Sequence, residues 1–324
     1  MLANKGKKVL LVDCDPQCNL TGMVLGLKGE DEYAKIYEKE GVRNIRDGLA
    51  PAFESRPSAI EPVVCESIVG QPNMFLLPGH IGLAEYEVTL GIAQELSGSL
   101  ITLQNLPGSL HHLFSITAEK YNIDITIIDM SPSLGPINQN LLMTSDYFIV
   151  PMMPDYFSVM ATKSLATVIP KWCTWAKQAQ SITDLKNATY PFPVKLPKFL
   201  GIIIQKYKLR ESKIPARAFQ KWIDAVNDGV KNDLIPSLKK SDLLLEEKVY
   251  ASAKLKIGDV LIQMSDFNSL IALSQKHKVP VFSLSNKQIG LSGMVLERTK
   301  KSMKMFKDLY STGADKILKM LKNA

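Results

Sequence analysis

Apolar positions along the chain fall into two kinds of pattern: short unbroken runs, and longer stretches in which they recur every three or four residues. Residues 9–12 form such a run and open directly into Asp13-Cys14-Asp15-Pro16, while residues 5–8 read as a helix end with its turn. Residues 74–77, 123–128, 147–150, 199–204 and 279–284 repeat the strand signal; the run at 123–128 is almost wholly β-branched and stops at Asp129. Helical spacing marks residues 84–96, 109–120, 136–144, 159–176, 215–227 and 257–276. It marks 293–309 and 312–321 as well, with Leu296, Met303 and Phe306 facing inward.

Strands alternating with helices predict an α/β fold: a doubly wound, mostly parallel sheet flanked by helices. Residues 28–72 mix charge, Gly and Pro without a sustained period, apart from a short helix at 44–49, and 178–198 is polar and proline-bearing. The expectation is one domain over 1–324 with insertions near 28–72 and 178–198.

In such sheets ligands bind beyond the carboxyl ends of the strands, and here two strand ends carry acids, VLLVDCDPQ and ITIIDMSPS. A strand-end Asp can hold Mg²⁺ through its water shell, and a second Asp two residues on can orient a water for phosphoryl transfer. The plainer alternative, that each Asp caps the next helix, fits one strand end better than two.

The composition, 46% hydrophobic and 22% charged over 324 residues, is that of a globular chain, and a net charge of +7 favours anionic partners. No run of about 18 apolar residues occurs and the start lacks the order of a signal peptide, so the expected place is the cytoplasm. Cys14, Cys18, Cys65 and Cys173 include no CxxC pair, and His80, His111, His112 and His277 have no metal spacing. The four cysteines read as reduced thiols.

GKKVLLVDCDPQCNLT resembles the second nucleotide motif of the ParA/MinD family of P-loop ATPases, and DITIIDMSPSLGPINQNLLMTSDYFIVPMMPDYFSV resembles its Walker B region and following strand. NIRDGL, NMFLLPGHIGLAEYE, FLGIIIQKYK and PVFSLS extend the likeness from Lys5 to the last helix. The resemblance implies a ParA-like ATPase of plasmid or chromosome partitioning or positioning that uses ATP and Mg²⁺. It implies an ATP-dependent homodimer, nonspecific DNA binding, a partner protein that stimulates hydrolysis, and a cytoplasmic or nucleoid-associated location. Under it Asp15 orients the hydrolytic water, Asp13 and Asp129 belong to the magnesium shell, Gln205 and Ser283 contact the nucleotide, and the region after Phe282 borders the adenine.

One hallmark is not in the string: Gly, four residues, then Gly-Lys-Ser/Thr occurs nowhere. Met1 falls inside what would be the family's first helix, which gives the expectation of a truncated start, with first strand and phosphate loop absent and the chain inactive as given. Basic residues cluster at Lys206, Lys208, Arg210, Lys213 and Arg217, and at Arg298, Lys300, Lys301, Lys304 and Lys307. Either group is a DNA-phosphate candidate or an ordinary solvated face.

Two rivals stay open. A MinD-like membrane ATPase would use the terminal helix, where Lys316, Lys319 and Lys322 flank Ile317, Leu318 and Leu321, although the stretch is short and carries no Trp or Phe. A noncatalytic pseudo-ATPase would suit a missing phosphate loop, but retained acids repel one another without a cation. Cluster-bridging relatives need cysteines near the Walker B region, and none lies between Cys65 and Cys173.

Overall fold

Four apolar residues and an acid make β1 (Val9–Asp13), in which Val9, Leu10, Val12 and Asp13 are buried. The computed structural model describes residues 1–27, 30–38, 40–96, 103–209 and 215–324. Helices α1 (Asn19–Leu25), α2 (Glu30–Tyr37) and α3 (Ile45–Phe53) come next. The last begins at Asn44, whose side chain accepts from Asp47 N at 3.0 Å, a cap that satisfies a first-turn donor. Strands β2 (Glu66–Ile68) and β3 (Gln71–Leu77), helices α4 (Leu83–Glu95) and α5 (Leu106–Tyr121), β4 (Ile125–Asp129) and α6 (Pro136–Thr144) follow.

These strands form a sheet in the order β2-β3-β1-β4, with β3 and β4 parallel to β1 and β2 antiparallel to β3. An absent first strand finds no support: β1 lies near the N-terminus with a parallel partner on each side. Leu10, Val12, Leu77, Leu90, Leu113 and Leu141 centre the core of this unit. Ile45, Leu49, Ile60 and Val63, from the stretch expected as an insertion, are buried in it as well.

The unit comprises Leu2–Ser145 and Thr174–Leu196. Tyr190 belongs to its core, and the Tyr190 hydroxyl accepts from Ile60 N at 2.8 Å. Gly108 on α5 sits directly under this return segment: a Cβ there would meet the carbonyl oxygens of Tyr190 and Pro191, the second at 2.6 Å. Both are backbone atoms, so Gly108→Ala is expected to destabilise by about 3 kcal/mol, read as a lowered Tm in a thermal melt.

The second unit comprises Met1, Asp146–Cys173 and Pro197–Ala324. Its strands β5 (Tyr147–Met152), β6 (Lys198–Tyr207) and β7 (Val260–Ser265) are all parallel, in the order β5-β6-β7. Helix α7 (Tyr156–Ser181) carries the boundary between the units and is followed by α8 (Thr183–Lys186). Helix α9 (Arg217–Gly229) passes through a π-helical segment, Val230–Leu234, into α10 (Ile235–Lys240). Then come α11 (Glu247–Ser252), α12 (Leu270–His277), α13 (Asn286–Ile289) and the long α14 (Gly293–Asn323). Leu261, Met264, Phe306 and Met320 share this unit's core.

Three expectations are corrected here. Residues 257–276 are not one helix but β7 followed by α12. Leu261, Ile262, Met264 and Ser265 are all buried, the two-sided burial of a strand in a covered parallel sheet rather than the stripe of a helix. Residues 279–284 are not a strand: Val281–Ser283 is a 3-10 turn. Pro280 has no N–H to give a ladder, and Val281 and Leu284, three apart, are both buried. The two terminal helices are one, α14, in which Gly313 lies on β7, where a Cβ would come within 2.5 Å of Ile262 Cγ1.

Candidate functional site at the strand ends

Parallel pairing of β1 with β4 sets Asp13 opposite Asp129, so two carboxylates end adjacent strands in register. Cys14 N donates to Asp129 O at 2.9 Å, which extends the ladder one step beyond the acids. Asp15 follows in the turn toward α1, half-buried, with Oδ1 accepting from Gln17 N at 3.0 Å. Its Oδ2 has no partner among the described residues.

Asp13 is wholly buried and fully engaged. Its Oδ2 accepts from Thr21 N at 2.8 Å and from Thr21 Oγ1 at 2.6 Å, and its Oδ1 accepts from Asp15 N at 3.2 Å. The Thr21 hydroxyl in turn accepts from Gly79 N at 2.9 Å. A Cβ on Gly79 would lie 2.9 Å from Asp13 Cγ, so only glycine lets the end of β3 come this close. Asp13 thus ties together the turn after β1, the first turn of α1 and the end of β3. Tyrosines of α2 close the turn from outside: Tyr33 Oη donates to Cys18 O and Tyr37 Oη to Gly79 O, each at 3.1 Å.

Burial holds the Asp13 carboxyl above its ordinary value near 3.8, with the Thr21 hydrogen bonds opposing and the Asp15 charge adding. Asp129 is open to solvent as a residue, yet its carboxyl is also raised, first by loss of water at the strand end and then by the charges of Asp13 and Asp15. A carboxyl with a raised value stabilises the fold while protonated; that contribution is present below the unfolded value and is lost as pH rises through the folded one. Asp129→Asn is therefore expected to raise Tm at pH 7 by about 1–3 °C, a gain limited by solvent screening. The gain should shrink toward pH 4 in melts recorded across that range.

Beyond Asp129 the loop 130–135 is clamped by Asn138 of α6, itself 2% exposed. Asn138 Nδ2 donates to Ser131 O and Ser133 O, both at 2.7 Å, and Gly135 lies so close to Glu87 that a Cβ would meet its carboxylate. The sequence offered Ser131-Pro132-Ser133 as a motif but gave no sign of the asparagine that holds it. Thr21 went unread for the same reason, although it closes the first motif. Cys14 and Cys18 are free thiols, as read from the sequence, and their burial pushes both thiols up, Cys18 to about 11.

Asp13, Asp15 and Asp129 are hard oxygen donors that repel one another, and none is ion-paired to a Lys or Arg among the described residues. No three His, Cys, Asp or Glu stand close enough to wrap a metal directly among the described residues. That set suits a cation that keeps its own waters and takes one or two carboxylates, the habit of Mg²⁺.

The other expected residues lie in the second unit. Gln205 is on β6, half-buried, and Ser283 is exposed at the end of the 3-10 turn. Arg217 opens α9 and is exposed, whereas Arg210 and Lys213 lie outside the described residues. Arg298, Lys301, Lys304 and Lys307 are exposed on α14, and Lys300 reaches Glu297 at 3.5 Å. Lys301, Lys304 and Lys316 line a groove beside Val260 and Gln263 of β7. No helix among the described residues is long and apolar enough to cross a membrane.

The family profile described as an AAA domain matches residues 1–181, more than half of the chain. An uncharacterized protein of Methanocaldococcus jannaschii is 31% identical over 222 residues, 68% of this chain and 69% of that protein. The virulence plasmid ParA family protein pGP5-D of Chlamydia psittaci is 28% identical over 159 residues, 49% of this chain, which thus spans only 50% of that relative's length. Among solved structures, the McdA–ATP complex of Cyanothece superposes with a TM-score of 0.52 at 13% identity, covering 94% of this chain and 87% of that one. Nothing in this geometry or in these relatives supports an inactive chain or shows a phosphate-binding segment to be missing. The acid-ended strands and the profile match agree: this chain belongs to the ParA family of P-loop partition ATPases.

Proposed function

We propose that the protein binds Mg²⁺·ATP beyond the ends of β1 and β4 and hydrolyses it to drive DNA partitioning or positioning. The observation that carries this reading is the Asp13–Asp129 register, with Asp15 two residues farther on. Asp129, with Asp13 behind it, would hold the hydrated cation, which supplies charge for the phosphate oxygens. Asp13, with both oxygens already accepting hydrogen bonds, fixes the turn on which Asp15 rides and reaches the cation shell through Oδ1 alone. The open Oδ2 of Asp15 is the acceptor that would orient an attacking water. ATP as the nucleotide is supported by the McdA complex, which holds it.

The exposed cations of α14, Arg298, Lys301, Lys304 and Lys307, support nonspecific contact with DNA phosphates. An ATP-dependent homodimer, a partner that stimulates hydrolysis and a cytoplasmic, nucleoid-associated location complete the reading. The same reading takes residues 1–324 as one functional domain built from the two compact units, each of which draws on separate parts of the sequence. A membrane role draws little from α14, because Met320 is buried and Ile317 packs against the core.

The test is ATP hydrolysis by the chain with Mg²⁺, with and without sonicated DNA, beside direct nucleotide binding by calorimetry. Magnesium-dependent turnover that DNA stimulates is expected. Absence of ATP binding at millimolar nucleotide would end the ATPase reading, and turnover without DNA binding would end the partition one.

A further inference from the structure

The turn that carries Asp15 ends on a strained residue. Cys18 stands before the first turn of α1 with φ 53° and ψ 33°, the left-handed conformation in which a Cβ crowds the main chain. The bonds inside the turn, Cys18 N to Asp15 O at 2.8 Å and Gln17 N to Asp15 Oδ1 at 3.0 Å, are short-range ones that an unstrained turn also makes. A residue with a side chain stays left-handed where its surroundings over-determine it, and such residues gather at functional sites.

Here the surroundings are α2. The helix buries Ile36 and turns Tyr33 and Tyr37, both half-buried, onto the strained residue. Tyr33 Oη donates to the Cys18 carbonyl at 3.1 Å, and Tyr37 Oη, while donating to Gly79 O, lies 3.7 Å from Cys18 Sγ. The Tyr37 ring rests on that of His80, with centroids 4.3 Å apart, which fixes the direction of its hydroxyl. Cys18 is thus held at its carbonyl and at its side chain, three residues past Asp15.

We propose that Tyr33 and Tyr37 are positioning residues for hydrolysis: they hold Cys18 left-handed and so keep the Asp15 carboxylate aimed at the attacking water. The inference rests on the ATPase reading above. Helix α2 then acts as a strap on the turn. Loosening it slows the chemistry without loosening the nucleotide, because Asp15 acts in hydrolysis whereas the cation sits on Asp129 with Asp13 behind it.

The test is the double variant Tyr33→Phe/Tyr37→Phe, which keeps both rings. The Cys18 carbonyl also keeps its bond from Gly22 N at 2.9 Å, so it is not stranded by the change, and circular dichroism melts would confirm the fold. Single-turnover hydrolysis is expected to be at least about tenfold slower, the scale set by a small misplacement of a reacting group. ATP affinity measured by calorimetry should stay within about threefold of the parent. Adding Cys18→Gly to the double variant should bring hydrolysis back to within about threefold of the parent, because glycine takes the left-handed conformation at no steric cost. A loss caused by weakened packing alone would not recover in this way. Unchanged hydrolysis in the double variant, an equal loss of affinity, or no recovery with Cys18→Gly would overturn the inference and leave the ATPase reading standing. A parent chain that does not hydrolyse ATP would remove that reading, and this inference with it.

Discussion

Replacing Asp15 with alanine is expected to lower the rate of ATP hydrolysis by about 10²–10⁴-fold, the range for removing a positioned general base or water-orienting group. Nucleotide affinity should stay within about threefold of the parent, because a group that acts mainly in the transition state contributes little to ground-state binding. Fold should be spared as well. Asp15 is half-buried, its side chain accepts one hydrogen bond, from Gln17 N, and its main chain continues to bond Cys18 N at 2.8 Å whatever the side chain. Single-turnover hydrolysis beside equilibrium binding separates the two effects. A variant that keeps full turnover would remove Asp15 from the chemistry and leave Asp129 as the remaining open carboxylate.

Thr21→Val is expected to cost about 3 kcal/mol of stability, among the larger losses a single substitution in this chain can produce. Valine matches threonine in shape, so packing is nearly unchanged and the hydroxyl alone is lost. That hydroxyl serves two buried partners: it donates to Asp13 Oδ2 at 2.6 Å and accepts from Gly79 N at 2.9 Å. Without it a buried carboxylate loses its shortest hydrogen bond and a main-chain N–H is left unpaired, a larger penalty than the bond itself is worth. Because the Thr21 hydrogen bonds oppose the effect of burial on Asp13, their loss should raise that carboxyl further. By the linkage sign already given for raised carboxyls, the deficit should widen as pH climbs from about 4 to 7. Denaturant titration at both ends of that range measures it. Thr21→Ser, which keeps the hydroxyl, should recover most of the loss.

The strands that bear the acids were legible because each is a short apolar run stopped by a carboxylate, a pattern without a helical alternative. Residues 9–12 and 123–128 emerged as β1 and β4 with shifts of one or two residues, and 136–144 as α6 with both ends in place. Strand β7 was not legible: Ile257, Leu261 and Met264 fall at helical intervals, and only parallel pairing with β6 shows that Ile262, between them, is buried too. In the site, Asp13, Asp15 and Asp129 stood out as charges at strand ends. Thr21, Gly79 and Asn138 did not, because they are neutral and what distinguishes them is a partner that only the folded chain supplies: Gly79 meets Thr21 from 58 residues away, and Asn138 reaches back across a turn to Ser131 and Ser133. A sequence shows which groups carry charge; it seldom shows which neutral group holds them in place.

The return of Thr174–Leu196 to the first unit has a consequence for the order of events at the ribosome. Leu2–Ser145 emerges first, with its sheet complete through β4, yet the hydroxyl that satisfies Ile60 N arrives with Tyr190, 130 residues later. Asn105 Oδ1, which accepts from Thr189 N at 2.8 Å, waits 84 residues for its donor. Contacts so distant along the chain are slow to form, and a nascent unit that awaits its closing segment exposes apolar surface in the meantime. Chains arrested short of Leu196 should consequently be more open to protease and to chaperone capture than chains arrested just beyond it.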